Sequence, residues 1–317
     1  MKYSILALSG HPSGLLPYAA VASSTGAHRL WHAQMTRVEP HQAFAYAAGA
    51  GFRVPVGLGV TLMGLRHPYE AAIQARSLAA ITGHSVVAGF GPGDPSFQRT
   101  VLKARYESPL RASREYLCAV RDALSGETVD VDGEYVSFHG RLGPMPAPAV
   151  HLGLGVLRPR MARLAGEVAD AAITWMAPAA YLKHSVVPAL RAGARASGRP
   201  VPWLTAVLPM AVDRPGRDPV ELARLGGHAY TEASHYRDML NRAGAGISPG
   251  DDPDTAAKAL IDCGAFLNGD LGQLAFLLAE FADAGVDEVV INLTSVLIRH
   301  GEQEAMTDLK AILGEVS

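Results

Sequence analysis

The sequence predicts an α/β protein of the (β/α)8 TIM-barrel class, with one β-hairpin inserted into the repeat. Three observations carry this reading. Short apolar runs alternate with helix-like segments along nearly the whole chain, about eight of each, the pattern of a parallel sheet covered by helices. The length of 317 residues suits one such barrel. No G-x-G-x-x-G follows the first strand, which weakens the open doubly wound sheet, the alternative for the same alternation. Residues 1–317 are therefore read as a single domain.

The elements follow in order. Residues 3–8 form a first strand, 15–24 a helix closing at Gly26, and 28–32 a short second strand. Residues 54–62, VPVGLGVTL, are a buried strand, and 68–81 a helix with Pro68 in its first turn. Residues 85–90 are the next strand. Ser108-Pro109 supplies an N-cap and an N1 proline to a helix that buries Leu110, Leu117, Val120 and Leu124 and stops at Gly126. ETVDVDGEYVSF (127–138) alternates around Asp132-Gly133 and reads as the hairpin. Strands at 150–152, 171–175, 203–212 and 286–293 alternate with helices at 181–196, 271–284 and 302–315; Gly285 is the C′ residue of the second of these helices. Residues 213–270 show helical stretches, Gly/Pro/Asp punctuation at 244–253 and no clear strand.

Composition narrows the function classes. Hydrophobic residues are 49% and charged ones 18%, so a large core is available, and the formal net charge of -2 offers no basic footprint for nucleic acid. No stretch approaches the roughly 20 apolar residues of a membrane span. The N-terminus MKYSILALSG reads as a buried strand, since a signal peptide needs a longer apolar stretch and a cleavage site. Cys118 and Cys263 both fall in helix-like segments, which suits a reduced, cytoplasmic protein. No metal-ligand spacing stands out.

The most informative stretch is AVHLGLGVLRPRMARLAGEVADAAITW, residues 149–175. An apolar run leads into Gly153-Leu154-Gly155-Val156, then Arg158-Pro159-Arg160 opens a helix with Met161, Leu164, Ala165 and Val168 on one face. Such a turn suits a phosphate, because glycines permit close approach and a helix N-terminus carries partial positive charge. An ordinary strand-to-helix turn is the competing reading. Gly59-Val60-Thr61 and Gly89-Phe90-Gly91-Pro92-Gly93 end two earlier strands, at the rim where barrel active sites are built.

Three segments together resemble the luciferase-like monooxygenase superfamily, barrels that bind FMN or the deazaflavin F420. They are GLGVTLMGLRHPYEAAIQARSLAAITGHSVVAGFGPG (57–93), residues 108–138, and PMPAPAVHLGLGVLRPRMARLAGEVADAAITW (144–175); VDEVVIN (286–292) is similar to the family's last strand. The resemblance implies that Gly59, Val60 and Thr61 lie behind the cofactor's central ring, where many F420 members have a non-prolyl cis peptide. It implies Gly89 and Gly91 along the ring and its side chain. Gly153, Leu154, Gly155, Val156, Arg158, Pro159 and Arg160 would hold the phosphate, with Trp175 as a packing wall. Two departures stand out: Trp31-His32-Ala33-Gln34 where members have Asp-His, and Ile81-Thr82-Gly83-His84 where they have Ser-Gly-Gly-Arg.

The compact length and the Gly59-Val60-Thr61 strand end resemble the F420 branch, with FMN as the alternative cofactor. The expected activity is hydride transfer from reduced F420 to a C=C or C=N bond of a small molecule or of a natural-product or modified-peptide intermediate. An FMN monooxygenase and a non-catalytic flavin-binding barrel are the alternatives. A hydride must be matched by a proton, and histidine titrates near neutral pH. His11 follows strand one, and Trp31 and His32 end strand two, which makes these three the catalytic candidates; alternation sets His28 and His32 on one face. Family resemblance implies a homodimer.

Overall fold

The computed structural model describes residues 1–316 and contains the expected closed barrel. Eleven strands run in chain order: β1 (Lys2–Leu6), β2 (Leu30–His32), β3 (Val56–Leu62), β4 (Val86–Gly91), β5 (Val129–Asp132), β6 (Ser137–Gly140), β7 (Val150–Gly155), β8 (Ala171–Trp175), β9 (Trp203–Val212), β10 (Leu267–Gly269) and β11 (Glu288–Asn292). Eight of them, β1-β2-β3-β4-β7-β8-β9-β11, pair in parallel, and β11 closes back onto β1. Strands covered on both sides need apolar residues on both faces, which is why VVAGFG and EVVIN are almost wholly buried. The antiparallel β5–β6 hairpin stands apart from the barrel, as expected; its turn spans 133–136 and is closed by Gly133 N–H donating to Val136 O at 2.8 Å.

The barrel interior is filled rather than open. Leu6, Trp31, Val87, Ile173, Val207 and Val290 pack across it. Beneath them Glu288, 1% exposed, accepts from Trp31 Nε1 at 2.7 Å, from Arg29 Nη1 at 2.8 Å and from the Ser4 hydroxyl. The Trp31 ring lies against the β3 backbone, and a Cβ at Gly57 would meet its Cδ2 at 2.5 Å. Trp31 is thus the floor of the barrel, fully buried, and not a catalytic group at the rim. His32 takes the opposite face of β2. Its ring meets Phe44 of helix Pro40–Gly49 edge-on at 6.2 Å, away from the barrel mouth.

The helix that follows β7, Pro159–Val168, is fixed by close contact with helix Val187–Ser197. A Cβ at Gly193 would stand 1.9 Å from Arg163 O, and one at Gly166 would stand 2.2 Å from Leu190 O, so only glycine lets the backbones approach this far. Residues 213–270 resolve into helices Pro219–Glu232, Ser234–Arg242 and Pro253–Asp262 and the three-residue β10, which extends the sheet beside the end of β9. The helical stretches expected there are thus present, and β10 is the strand the sequence does not announce; helices Pro40–Gly49, Pro95–Val101 and Thr294–His300 are likewise unannounced.

Candidate functional site

The C-terminal ends of β3, β4, β7 and β8 form one continuous floor. The Gly59–Val60 peptide bond is cis, and the β3–β4 register shifts between Leu58 and Thr61. The shift lifts the Val60 side chain onto the rim, where Cβ atoms at Gly91 and Gly155 would meet it at 3.0 and 3.3 Å. Those two glycines keep the floor flat. Gly89, expected along the ring, and Gly153, expected at the phosphate, act differently from those expectations. A Cβ at either would meet Ile173 Cδ1, at 2.5 and 2.7 Å, so they make room for Ile173, and the surface offered upward is Val60 and Ile173. Thr61 is fully buried and donates its hydroxyl to Gly89 O at 3.1 Å; it ties β3 to β4 and presents nothing to the mouth.

The turn after β7 retains the features that suggested an anion site. Leu154 and Val156 point into the helix layer, and the Val156 N–H is spent on Ile173 O at 2.7 Å. The N–H groups of Leu157, Arg158 and Arg160 have no acceptor among the described residues, and Pro159 fills the N1 position, which has no use for one. No side chain caps this helix. The two arginines differ. Arg158 Nη1 reaches Asp238 Oδ2 at 3.2 Å, a carboxylate also contacted by Arg242 at 3.1 Å, whereas Arg160 is exposed and has no ion pair among the described residues.

Helix Ser234–Arg242 spans this part of the rim and was not legible from sequence. Its first turn meets the loop after β4, with His235 Nδ1 3.2 Å from Asp94 Oδ2 at an angle that closes no hydrogen bond. Its second turn meets the β7 turn through Asp238 and Arg158. An aromatic arc joins the two: Trp175 lies 5.7 Å from Tyr230, Tyr230 4.8 Å from Tyr236, and Tyr236 4.9 Å from His235. Trp175 Nε1 is buried with no partner among the described residues. Burial pushes the His235 pKa down, against Asp94, which raises it, and with Arg158, which lowers it further. Asp94 is lifted by partial burial but ends below the usual carboxylate range, because Ser96, the Phe97 N–H and His235 favour its charged form.

The sequence-chosen histidines fall in three places. His11 lies on the loop after β1, exposed at the same end of the barrel, its Nδ1 accepting from Ser13 N–H at 3.2 Å. His32 is held neutral by burial, with Nδ1 2.7 Å from Ala33 O, and cannot serve the mouth. His28 shares its outward face at the opposite end of the barrel, its pKa pushed down to about 4 by burial first and then by Arg29 and Lys2. At the position read against the family's Asp-His pair, Gln34 accepts from Arg66 at 2.9 Å and carries no charge.

A flat apolar floor, a wall with an unpartnered indole N–H, and a turn of free N–H groups with an unpaired arginine suit a planar ring system carrying a phosphate tail. The family model described as luciferase-like monooxygenase matches residues 2–288. A 5,10-methylenetetrahydromethanopterin reductase of Methanolobus tindarius is 28% identical over 262 residues, 81% of this chain and 76% of that protein. An F420-dependent glucose-6-phosphate dehydrogenase of Nakamurella multipartita is 30% identical over 166 residues, 50% of this chain and 49% of that one. The solved structure of a coenzyme F420-dependent tetrahydromethanopterin reductase from Methanopyrus kandleri has the same fold, with a TM-score of 0.75 at 19% identity, covering 99% of this chain and 96% of that chain.

Proposed function

The chain belongs to the luciferase-like monooxygenase family, and from that premise we propose that it is an F420-dependent oxidoreductase acting as a reductase. Its acceptor is a C=C or C=N bond of a small molecule or of a natural-product or modified-peptide intermediate. The observation that carries the reading is the floor of Val60 and Ile173 beside the uncapped 157–160 turn, in a chain whose curated relatives include an enzyme named for F420. When bound, the deazaflavin supplies the hydride. The protein's residues do the rest. The free N–H groups and Arg160 bind the phosphate, and Val60, Ile173 and Trp175 seat the ring and exclude water. His235, with Asp94 behind it, donates the proton to the atom next to the one reduced; His11 is the other histidine at this rim. Residues 1–317 act as one unit. A homodimer is the assembly we expect, on family resemblance alone. No helix among the described residues is long and apolar enough to cross a membrane.

Titration of the purified protein with F420 and with FMN tests this reading. Saturable binding of F420, and a reduced complex stable in air, are expected. Tight FMN binding with oxygen-consuming reoxidation would move the protein to the monooxygenase branch. A second expectation concerns Asp238, which competes with the phosphate for Arg158. Asp238→Asn should tighten F420 binding by about 0.5–1 kcal/mol, the scale of a partly exposed ion pair. Weaker binding in this variant would show that Asp238 orders the site instead.

A further inference from the structure

A cavity of about 350 Å³ lies outside the barrel, one layer from the mouth. It is bounded by the Met63–Leu65 turn that follows β3, by helix Pro109–Ser125 and by the start of β6. Phe90, between Gly89 and Gly91 on β4, separates it from the floor of the mouth; its ring packs on Tyr116 with centroids 5.3 Å apart. The volume falls in the range of small-molecule sites, roughly 300–1,000 Å³.

Most polar side chains of this cavity are spoken for. Arg66 gives its three donor nitrogens to Gln74, Gln34 and Glu39, and the Glu39 carboxylate at 2.7 Å balances its charge. His67 uses both ring nitrogens, Nδ1 accepting from Tyr69 N–H and Nε2 2.9 Å from Ser137 O. The Tyr135 hydroxyl accepts from Ser108 N–H at 3.0 Å. Two hydroxyls are left: that of Tyr106, which is part-exposed, and that of Tyr116, a residue 4% exposed whose buried oxygen has no partner among the described residues. A buried hydroxyl without a partner is costly. The walls are aromatic and aliphatic, with Tyr106 and Tyr135 edge-to-face at 5.5 Å and Leu102 and Val136 beside them.

We propose that this cavity is a second small-molecule site, for a neutral aromatic compound of one or two rings bearing a carbonyl acceptor for the Tyr116 hydroxyl. With Arg66 neutralised there is no spare charge to hold an anion, and the rings of Tyr106 and Tyr135 offer stacking faces. The site is independent of cofactor at the mouth. Coumarin, a neutral two-ring lactone, is the probe, titrated into the full chain by calorimetry with benzoate as the anionic comparison. One saturable coumarin site is expected, at least fivefold weaker in Tyr116→Phe and lost in Leu102→Trp, which fills the cavity. Tyr116→Phe should melt no lower than the parent protein, since it removes only an unpaired hydroxyl, so a loss of binding there is not a loss of fold. No saturable binding to the parent, equal binding to Leu102→Trp, or tighter binding of benzoate than of coumarin would each overturn the proposal.

Discussion

Replacing Glu288 by alanine is expected to destabilise the protein by about 3–5 kcal/mol, the largest single effect in the barrel. The carboxylate is the only anion facing the Arg29 guanidinium among the described residues, and it also takes the Trp31 and Ser4 donors. Removing it strands a cation and two donors inside a closed sheet, where water cannot replace the lost acceptor. The cost comes from what is left unpaired rather than from the worth of the pair. The paired change Arg29→Met with Glu288→Leu should therefore recover much of the loss, since burying apolar groups in place of an ion pair is often neutral. Urea unfolding of the parent and the two variants decides the matter. A single Glu288→Ala within about 1 kcal/mol of the parent would mean that the interior is hydrated and the ion pair unimportant.

The second large effect is on ligand affinity. Gly155→Asp should weaken F420 binding by about 1.5–3 kcal/mol, the scale of a hydrogen bond to a charged group. The new Cβ needs little room, with Val60 Cγ1 at 3.3 Å and Phe90 O at 3.6 Å, so the fold should survive. The carboxylate would stand at the mouth beside the free N–H groups of the turn and repel the phosphate. Gly155→Ala separates bulk from charge and should cost less. Native thermal stability with unchanged affinity for both F420 and FMN would reduce the 153–160 turn to a structural link.

The alternation of strands and helices was legible because each barrel strand is a continuous apolar run and most long helices begin at a proline or end at a glycine. Ser108-Pro109 and Gly126 bound their helix as expected. What the runs do not record is which face looks inward. In β2 both faces are apolar enough to be buried, so Leu30, Trp31 and His32 give no sign that Trp31 enters the barrel and His32 leaves it. Helix Pro40–Gly49 escaped notice because its alanines lie on every side and blur the helical period. Strand β10 is too short for any period, although Asp270 and Gln273 after it form a capping box that the sequence displays. His235 and Asp94 are 141 positions apart, and nothing local marks either as belonging to the other.

The filled interior also dictates traffic. With Trp31, Val207 and Val290 packed across the barrel, nothing passes through it from the N-terminal end. Whatever reacts at the mouth therefore arrives and leaves from the C-terminal side. If the cofactor rests on Val60 and Ile173 as proposed, with its partner above it, ordered steady-state kinetics are the expected result, the cofactor binding first and leaving last.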